Sequence, residues 1–90
     1  MKKAIITVVG KDAVGIIARV CTYLSAQHVN ILDISQTITG GYFNMMMVID
    51  LTESLVSFSA LQEGLSAEGA KIGVIVHCQL EDIFTKMHRI

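Results

Sequence analysis

The chain lacks proline and tryptophan, has only two cysteines, and carries charge on just 17% of its 90 residues. Each scarcity excludes something. Cys21 and Cys78 show no CxxC spacing, which argues against a disulfide scaffold or a thiolate metal site. They read as reduced core thiols of a cytoplasmic protein. Seven basic residues against eight acidic give a net charge of −1, with no basic block. No electrostatic footprint for nucleic acid or an anionic membrane is therefore expected. No apolar run approaches the roughly 20 residues of a membrane span. Met1-Lys2-Lys3 leads straight into a strand of apolar residues, without the long apolar region and small-residue cleavage site of a signal peptide. No linker, repeat or low-complexity segment interrupts the sequence.

Apolar residues are abundant, at 52% of the chain. Soluble domains usually have about 45–50% apolar and about 25% charged residues. A single domain of this size buries only about 60–65% of its unfolded surface. Part of the apolar excess is therefore expected to lie against another subunit, giving a homodimer or larger homo-oligomer.

The most informative stretch is Val8-Val9-Gly10-Lys11-Asp12-Ala13-Val14-Gly15-Ile16-Ile17. An apolar run stops at a glycine, a short loop follows, and a helical pattern begins. Asp12 is placed to be the helix N-cap. Gly10 and Gly15 leave bare backbone on either side of it. Such a loop can present N–H donors to the charged head of a small molecule. It can equally be an ordinary capped strand-to-helix turn.

Periodicity orders the rest. Residues 3–9 read as a strand. Residues 13–28 read as a helix with Ile17, Val20, Cys21, Leu24 and His28 on one face. Residues 30–39 and 42–51 read as two strands joined by Gly40-Gly41, a strong hairpin signal. A second helix is expected over residues 54–68, capped by Thr52 or Ser54, with Leu55, Phe58, Leu61 and Leu65 inward and Gly69 as its terminator. Residues 71–79 make the last strand. In the tail, residues 81–90, Ile83, Phe84, Met87 and Ile90 have helical spacing. One domain over residues 1–90 is expected, with its core in 3–79.

The order β-α-β-β-α-β closes right-handed if each crossover is split by another strand. The result is an α+β, ferredoxin-like sandwich: a four-stranded antiparallel sheet of order 4-1-3-2, both helices on one face, and a short C-terminal helix. Alternation puts Phe43, Met45, Met47 and Ile49 on the helix side. It leaves Ile5, Val9, Met46, Val48 and Ile75 on the other, which is too apolar for a solvated face. A second sheet or the tail residues Phe84 and Met87 would cover it. Strand two is an edge with one charge, Asp33, and neither proline nor lysine to discourage pairing, so two chains are expected to join there.

Over essentially its whole length the chain resembles an ACT domain. The carrying residues are Gly10-Lys11-Asp12-Ala13-Val14-Gly15-Ile16, Leu24-Ser25-Ala26-Gln27-His28-Val29-Asn30-Ile31, and the element order. It is similar to modules of the glycine cleavage system repressor type and to the N-terminal segment of formyltetrahydrofolate deformylase. The resemblance implies regulatory binding of an amino acid between paired domains. By position, it implies contacts from Gly10, Lys11, Asp12 and Gly15 on the first loop. It implies others from Asn30, Ile31 and Leu32 at the start of strand two, supplied by the same or the partner subunit. Amino-acid-binding members often have Asn where this chain has Asp12, and Pro where it has Val14. An ionised Asp12 repels a ligand carboxylate but can accept from its ammonium group. Asn30 also reads as a plain turn residue before a strand.

No catalytic residues, metal ligands or cofactor are expected. His77 and Cys78 are adjacent in a strand, so they point to opposite faces and cannot hold one metal. RNA recognition on the sheet needs stacking aromatics on the central strands, where Tyr42 stands alone. The alternative to a ligand-binding module is a ligand-free one that acts by oligomerising or by docking on a protein target.

Overall fold

The structure is a computed structural model that describes residues 2–11 and 14–82. The elements run β1 (Lys3–Lys11), α1 (Ile16–Ala26), β2 (Asn30–Thr39), β3 (Tyr42–Asp50), α2 (Phe58–Lys71) and β4 (Val74–Leu80). The strands form one antiparallel sheet in the order β2-β3-β1-β4, the expected order read from the other edge. Gly40 and Gly41 both take positive φ, 59° and 83°, in the β2–β3 turn. That is the conformation a two-residue hairpin turn needs.

One side of the sheet meets the helices. Ile6, Val8, Met47 and Ile49 from the strands, Val20 and Leu24 from α1, and Leu61 and Leu65 from α2 are all fully buried in one cluster. Directly paired residues share a face, so the register maps the other side in rows. Gln79, Ile5, Val48 and Asp33 lie in the first row. His77, Thr7, Met46 and Ser35 form the second, and Ile75, Val9, Asn44 and Thr37 the third. Lys11, Tyr42 and Thr39 follow the third row at one end of the face, and Lys3, Asp50 and Asn30 precede the first at the other.

Several boundaries differ from expectation, each for a local reason. β1 does not stop at Val9 but continues through Gly10 to Lys11, with Gly10 paired to both Phe43 and Val74. A Cβ on Gly10 would sit 2.7 Å from Val74 Cγ1, so the missing side chain lets β4 close on β1. Helix α1 starts at Ile16, not residue 13, and its N-cap is Gly15 at φ 89° rather than Asp12. Asp12 itself lies outside the described residues. The same helix ends at Ala26. His28, expected on its apolar face, is exposed at φ 59° just past the end.

The second helix starts later than its apolar spacing suggests. Ser57 caps it, its hydroxyl accepting from Ala60 N–H at 3.2 Å. Thr52 and Ser54 are spent on turns instead: the Thr52 hydroxyl donates to Asp50 at 2.6 Å, and that of Ser54 to the Val56 carbonyl at 2.9 Å. Leu55 falls in this connection and is exposed, not inward. Gly69 is not the terminator. It is buried inside α2, where a Cβ would meet Val76 Cγ2 at 2.6 Å and the Val74 carbonyl oxygen at 2.8 Å. The left-handed residue after the helix is Gly73, at φ 73°, and β4 therefore begins at Val74. Beyond β4, Glu81 and Asp82 are helical. The tail positions Ile83, Phe84, Met87 and Ile90 lie outside the described residues.

Candidate functional site

The residues singled out at the first loop and at strand two stand at opposite ends of the sheet. Lys11 pairs with Tyr42, which pairs with Thr39. Asn30 pairs with Asp50, which pairs with Lys3. Eight residue steps of β1 separate Lys11 from Lys3, or about 26 Å along the strand. One chain does not bring Gly10, Lys11 and Gly15 together with Asn30, Ile31 and Leu32.

At the Lys11 end, Gly10 serves the β1–β4 contact and Lys11 is exposed. Gly15 is exposed in the left-handed region, with open space where a Cβ would stand. Its carbonyl accepts from Arg19 N–H at 2.9 Å and so begins the helix. Gly15 borders a groove of about 590 Å³ between α1 and α2, with Arg19 and Glu68 on its walls. The Glu68 carboxylate accepts from Lys71 at 3.0 Å and from Arg19 at 3.2 Å. The hydrogen bond from Lys71, with that from Arg19, holds it below the usual carboxylate range against the desolvation that opposes them. These are solvent-screened pairs of small energetic weight.

The Asn30 end is more elaborate. Helix α1 closes with His28 N–H on the Ser25 carbonyl at 3.0 Å and Val29 N–H on the Leu24 carbonyl, also at 3.0 Å. This is a Schellman closure with a histidine where glycine is usual. It turns the chain directly into β2, buries Val29, and leaves Asn30 exposed. The Gln27 carbonyl accepts from Leu55 N–H at 2.9 Å, which fastens the segment before α2 to the same corner. A groove of about 550 Å³ opens there, lined by Cys21, Ser25, His28, Val29, Asn30, Ile31 and Glu53. Two sequence-derived candidates, Asn30 and Ile31, face this groove. Leu32 does not: it is the extra residue of a β-bulge, because Ile31 pairs with Ile49 and Asp33 with Val48. A bulge interrupts the ladder and re-aims the side chains beside it.

Sequence reasoning did not place Cys21, Ser25, His28 and Glu53 around Asn30. The helix break at Gln27-His28 was the signal for the first three. Only the fold brings Glu53 near them. Burial raises the Cys21 thiol above its ordinary pKa and pushes that of Cys78 up to about 11. Both are therefore neutral thiols near pH 7, poor nucleophiles and poor ligands. Among the described residues no three histidine, cysteine or acidic side chains are grouped to hold a metal, and no helix is long and apolar enough to cross a membrane.

Comparisons with known proteins converge. A sequence model of the ACT domain matches residues 2–79. A UPF0237 protein of Bifidobacterium longum is 63% identical over 90 residues, covering 100% of both chains. The structure of an ACT domain protein from Streptococcus pneumoniae is 41% identical, with a TM-score of 0.81 over 92% of this chain and 93% of that one. A putative glycine cleavage system transcriptional repressor shares the fold, with a TM-score of 0.75 at 22% identity over 88% of this chain and 45% of its own.

Proposed function

The chain belongs to the ACT domain family, and from that membership we propose that it is a stand-alone regulatory module which binds an amino acid between two subunits. The observation that carries this reading is the separation of the two half-sites. Loop residues of one end and strand residues of the other can share a ligand only if two chains contribute.

Antiparallel pairing of β2 with its copy supplies the geometry. β2 is an edge strand with a single formal charge, Asp33. Its helix-side residues Ile34 and Ile38 are 42% and 58% exposed, which suits an unpaired edge that a second strand would cover. Two-fold pairing sets the Asn30 end of one β2 beside the Thr39 end of the other. Lys11 of the second chain then lies three strand spacings away, about 14 Å at roughly 4.8 Å each. The loop after Lys11 and a ligand bridge that gap. Backbone N–H groups of the loop meet the ligand carboxylate, and carbonyl or carboxylate oxygens near Asn30 and Asp12 meet its ammonium.

Binding would order the loop and shift the dimer, or its contact with a target protein. This role is regulatory rather than catalytic, and the reduced thiols fit a cytoplasmic setting. The test is thermal unfolding against each free amino acid, with oligomer mass recorded in the same samples. One amino acid should raise the melting temperature by several degrees, and Asn30→Ala should abolish the shift. No shift with any amino acid, on a stable oligomer, would move the assignment to the ligand-free docking module.

A further inference from the structure

Resting on the amino-acid reading above, we infer that the groove beside Asn30 holds the side chain of the ligand, and that this side chain carries a positive charge on a methylene stem, as in lysine, ornithine or arginine. The two grooves that flank α1 differ in what their charges have to meet. Between α1 and α2 the charges already meet each other, because Glu68 accepts from both Arg19 and Lys71. Beside Asn30 they do not. No hydrogen bond or ion pair joins the side chain of Ser25, His28, Asn30 or Glu53 to another described residue. All four are exposed, so water serves them in the free protein and a ligand can take its place.

The field in this groove has one sign. Glu53 is its one acid, and neither lysine nor arginine lines it. The end of α1 adds to the field, since the C-terminus of a helix carries about half a negative charge. Helix α2 answers its own C-terminus with Lys71 in the last turn, whereas α1 has no basic residue there. Ser25 in that last turn and His28 just beyond it both line the groove. A carboxylate beside the negative end of a helix attracts a cation and repels a carboxylate or phosphate. A metal ion needs several ligands, and among the described residues no three histidine, cysteine or acidic side chains are grouped to hold one. An ammonium or guanidinium group needs only acceptors, which the Glu53 carboxylate, the Ser25 hydroxyl and the Asn30 amide oxygen supply.

The carboxylate is also held in place. Asp50 accepts from the Thr52 hydroxyl at 2.6 Å and from Thr52 N–H at 3.0 Å, and Ser54 N–H closes on the Leu51 carbonyl at 3.0 Å. Leu55 N–H then bonds the Gln27 carbonyl at 2.9 Å. Glu53 thus stands in a turn fixed on both sides and fastened to the end of α1. The groove, at about 550 Å³, lies within the range of about 300–1,000 Å³ found for small-molecule sites. Half-buried Ile31 and the neutral thiol of Cys21 offer a wall to methylene groups, while a charged tip reaches the polar side chains. A long side chain also suits the gap of about 14 Å between this corner and Lys11 of the second chain. An aliphatic side chain here would strip water from Glu53 and give it no partner, which is costly.

The experiment is calorimetric titration of the full chain with each common amino acid, ornithine, norleucine and citrulline, repeated on Glu53→Gln and Glu63→Gln. Norleucine keeps the stem of lysine without its ammonium, and citrulline keeps the shape of arginine without its charge. Glu63 is exposed on α2, outside the groove, and controls for net charge. The expected result is that lysine or arginine binds about tenfold or more tightly than its neutral counterpart. Glu53→Gln should remove that preference and Glu63→Gln should leave it. Equal affinity for the charged and neutral members of a pair, binding of another amino acid in place of the basic ones, or a preference that survives Glu53→Gln overturns the inference and leaves the amino-acid reading standing. No binding by any of these compounds overturns both.

Discussion

Met46 and Met47 are neighbours in one strand, yet the first is 42% exposed and the second fully buried. They stand for the two faces of the sheet. On the helix side the strands meet α1 and α2 and exclude water. On the open side the same strands, by the same alternation, present apolar residues to solvent. Residue type alone does not separate the two. The difference lies in what covers each face, and that is a tertiary fact.

The comparison is broken most sharply by truncating one methionine at a time. Met47→Ala leaves a cavity in the packed cluster and should cost about 2–5 kcal/mol. Met46→Ala should cost under about 1 kcal/mol under conditions where the chain is a monomer. Urea denaturation of the two variants side by side measures both. Near-equal losses would mean that the open face is as tightly covered as the closed one, even in the monomer.

The cysteines sharpen the same contrast with pH. Cys78 is buried beneath the helices and its thiol is pushed up to about 11, against 9.0 for the free group. A raised folded pKa gives stability that is fully present below the unfolded value and lost as pH rises through the folded one. Stability should therefore be flat up to about pH 8 and fall between pH 9 and 11. The full two-unit difference corresponds to about 2–3 kcal/mol. Urea midpoints across that range test it, with Cys78→Val as the variant that flattens the curve. Cys21 is partly exposed, so Cys21→Val should leave most of the alkaline loss in place. A curve unchanged by Cys78→Val would show that other groups cause the fall.

How much of this was legible in the sequence depended on whether one element or two decided the matter. Alternation within β3 assigned Met45, Met47 and Ile49 to the core correctly, because a strand's faces are a property of that strand. Ends of elements were less legible. Leu55 has helical spacing with Phe58 but precedes the cap at Ser57, and spacing does not tell a helix from the turn that enters it. Gly10 and Gly69 looked like stops and proved to be points of close approach to β4, a partner that sequence does not display. The candidate site was least legible. Its two segments were identified as residues, but their placement at opposite ends of the sheet follows only from the ladder register.

Gly69 allows a smaller test, of how closely the covered side is packed. Alanine in a helix interior is ordinarily better than glycine by about 1 kcal/mol. Here its Cβ would meet the Val74 carbonyl oxygen at 2.8 Å, and backbone cannot swing aside as a side-chain tip can. Moving α2 off β4 should outweigh the helical gain, for a net loss of about 1–2 kcal/mol by urea denaturation. A stabilised Gly69→Ala would mean that α2 and β4 shift apart freely and that the closed face is looser than its burial suggests.

The smallest expected effect concerns the two helix ends. Both helices pass into their following strand through a residue of positive φ, Gly73 after α2 and His28 after α1. Glycine takes that conformation without strain, whereas a residue with a Cβ pays about 1 kcal/mol or more. His28→Gly should relieve this strain. The greater freedom of glycine in the unfolded chain takes back part of the gain, so the net effect should be a stabilisation of about 0.5 kcal/mol. The imidazole also borders the groove that holds Asn30. A thermal melt of His28→Gly alone, and then with the amino acid that stabilises the parent, separates two roles. Higher intrinsic stability with an undiminished ligand shift would make His28 a strained closure of α1 and nothing more. Higher stability with a smaller shift would mean that the strain persists because the ring lines the ligand site, a trade of stability for binding.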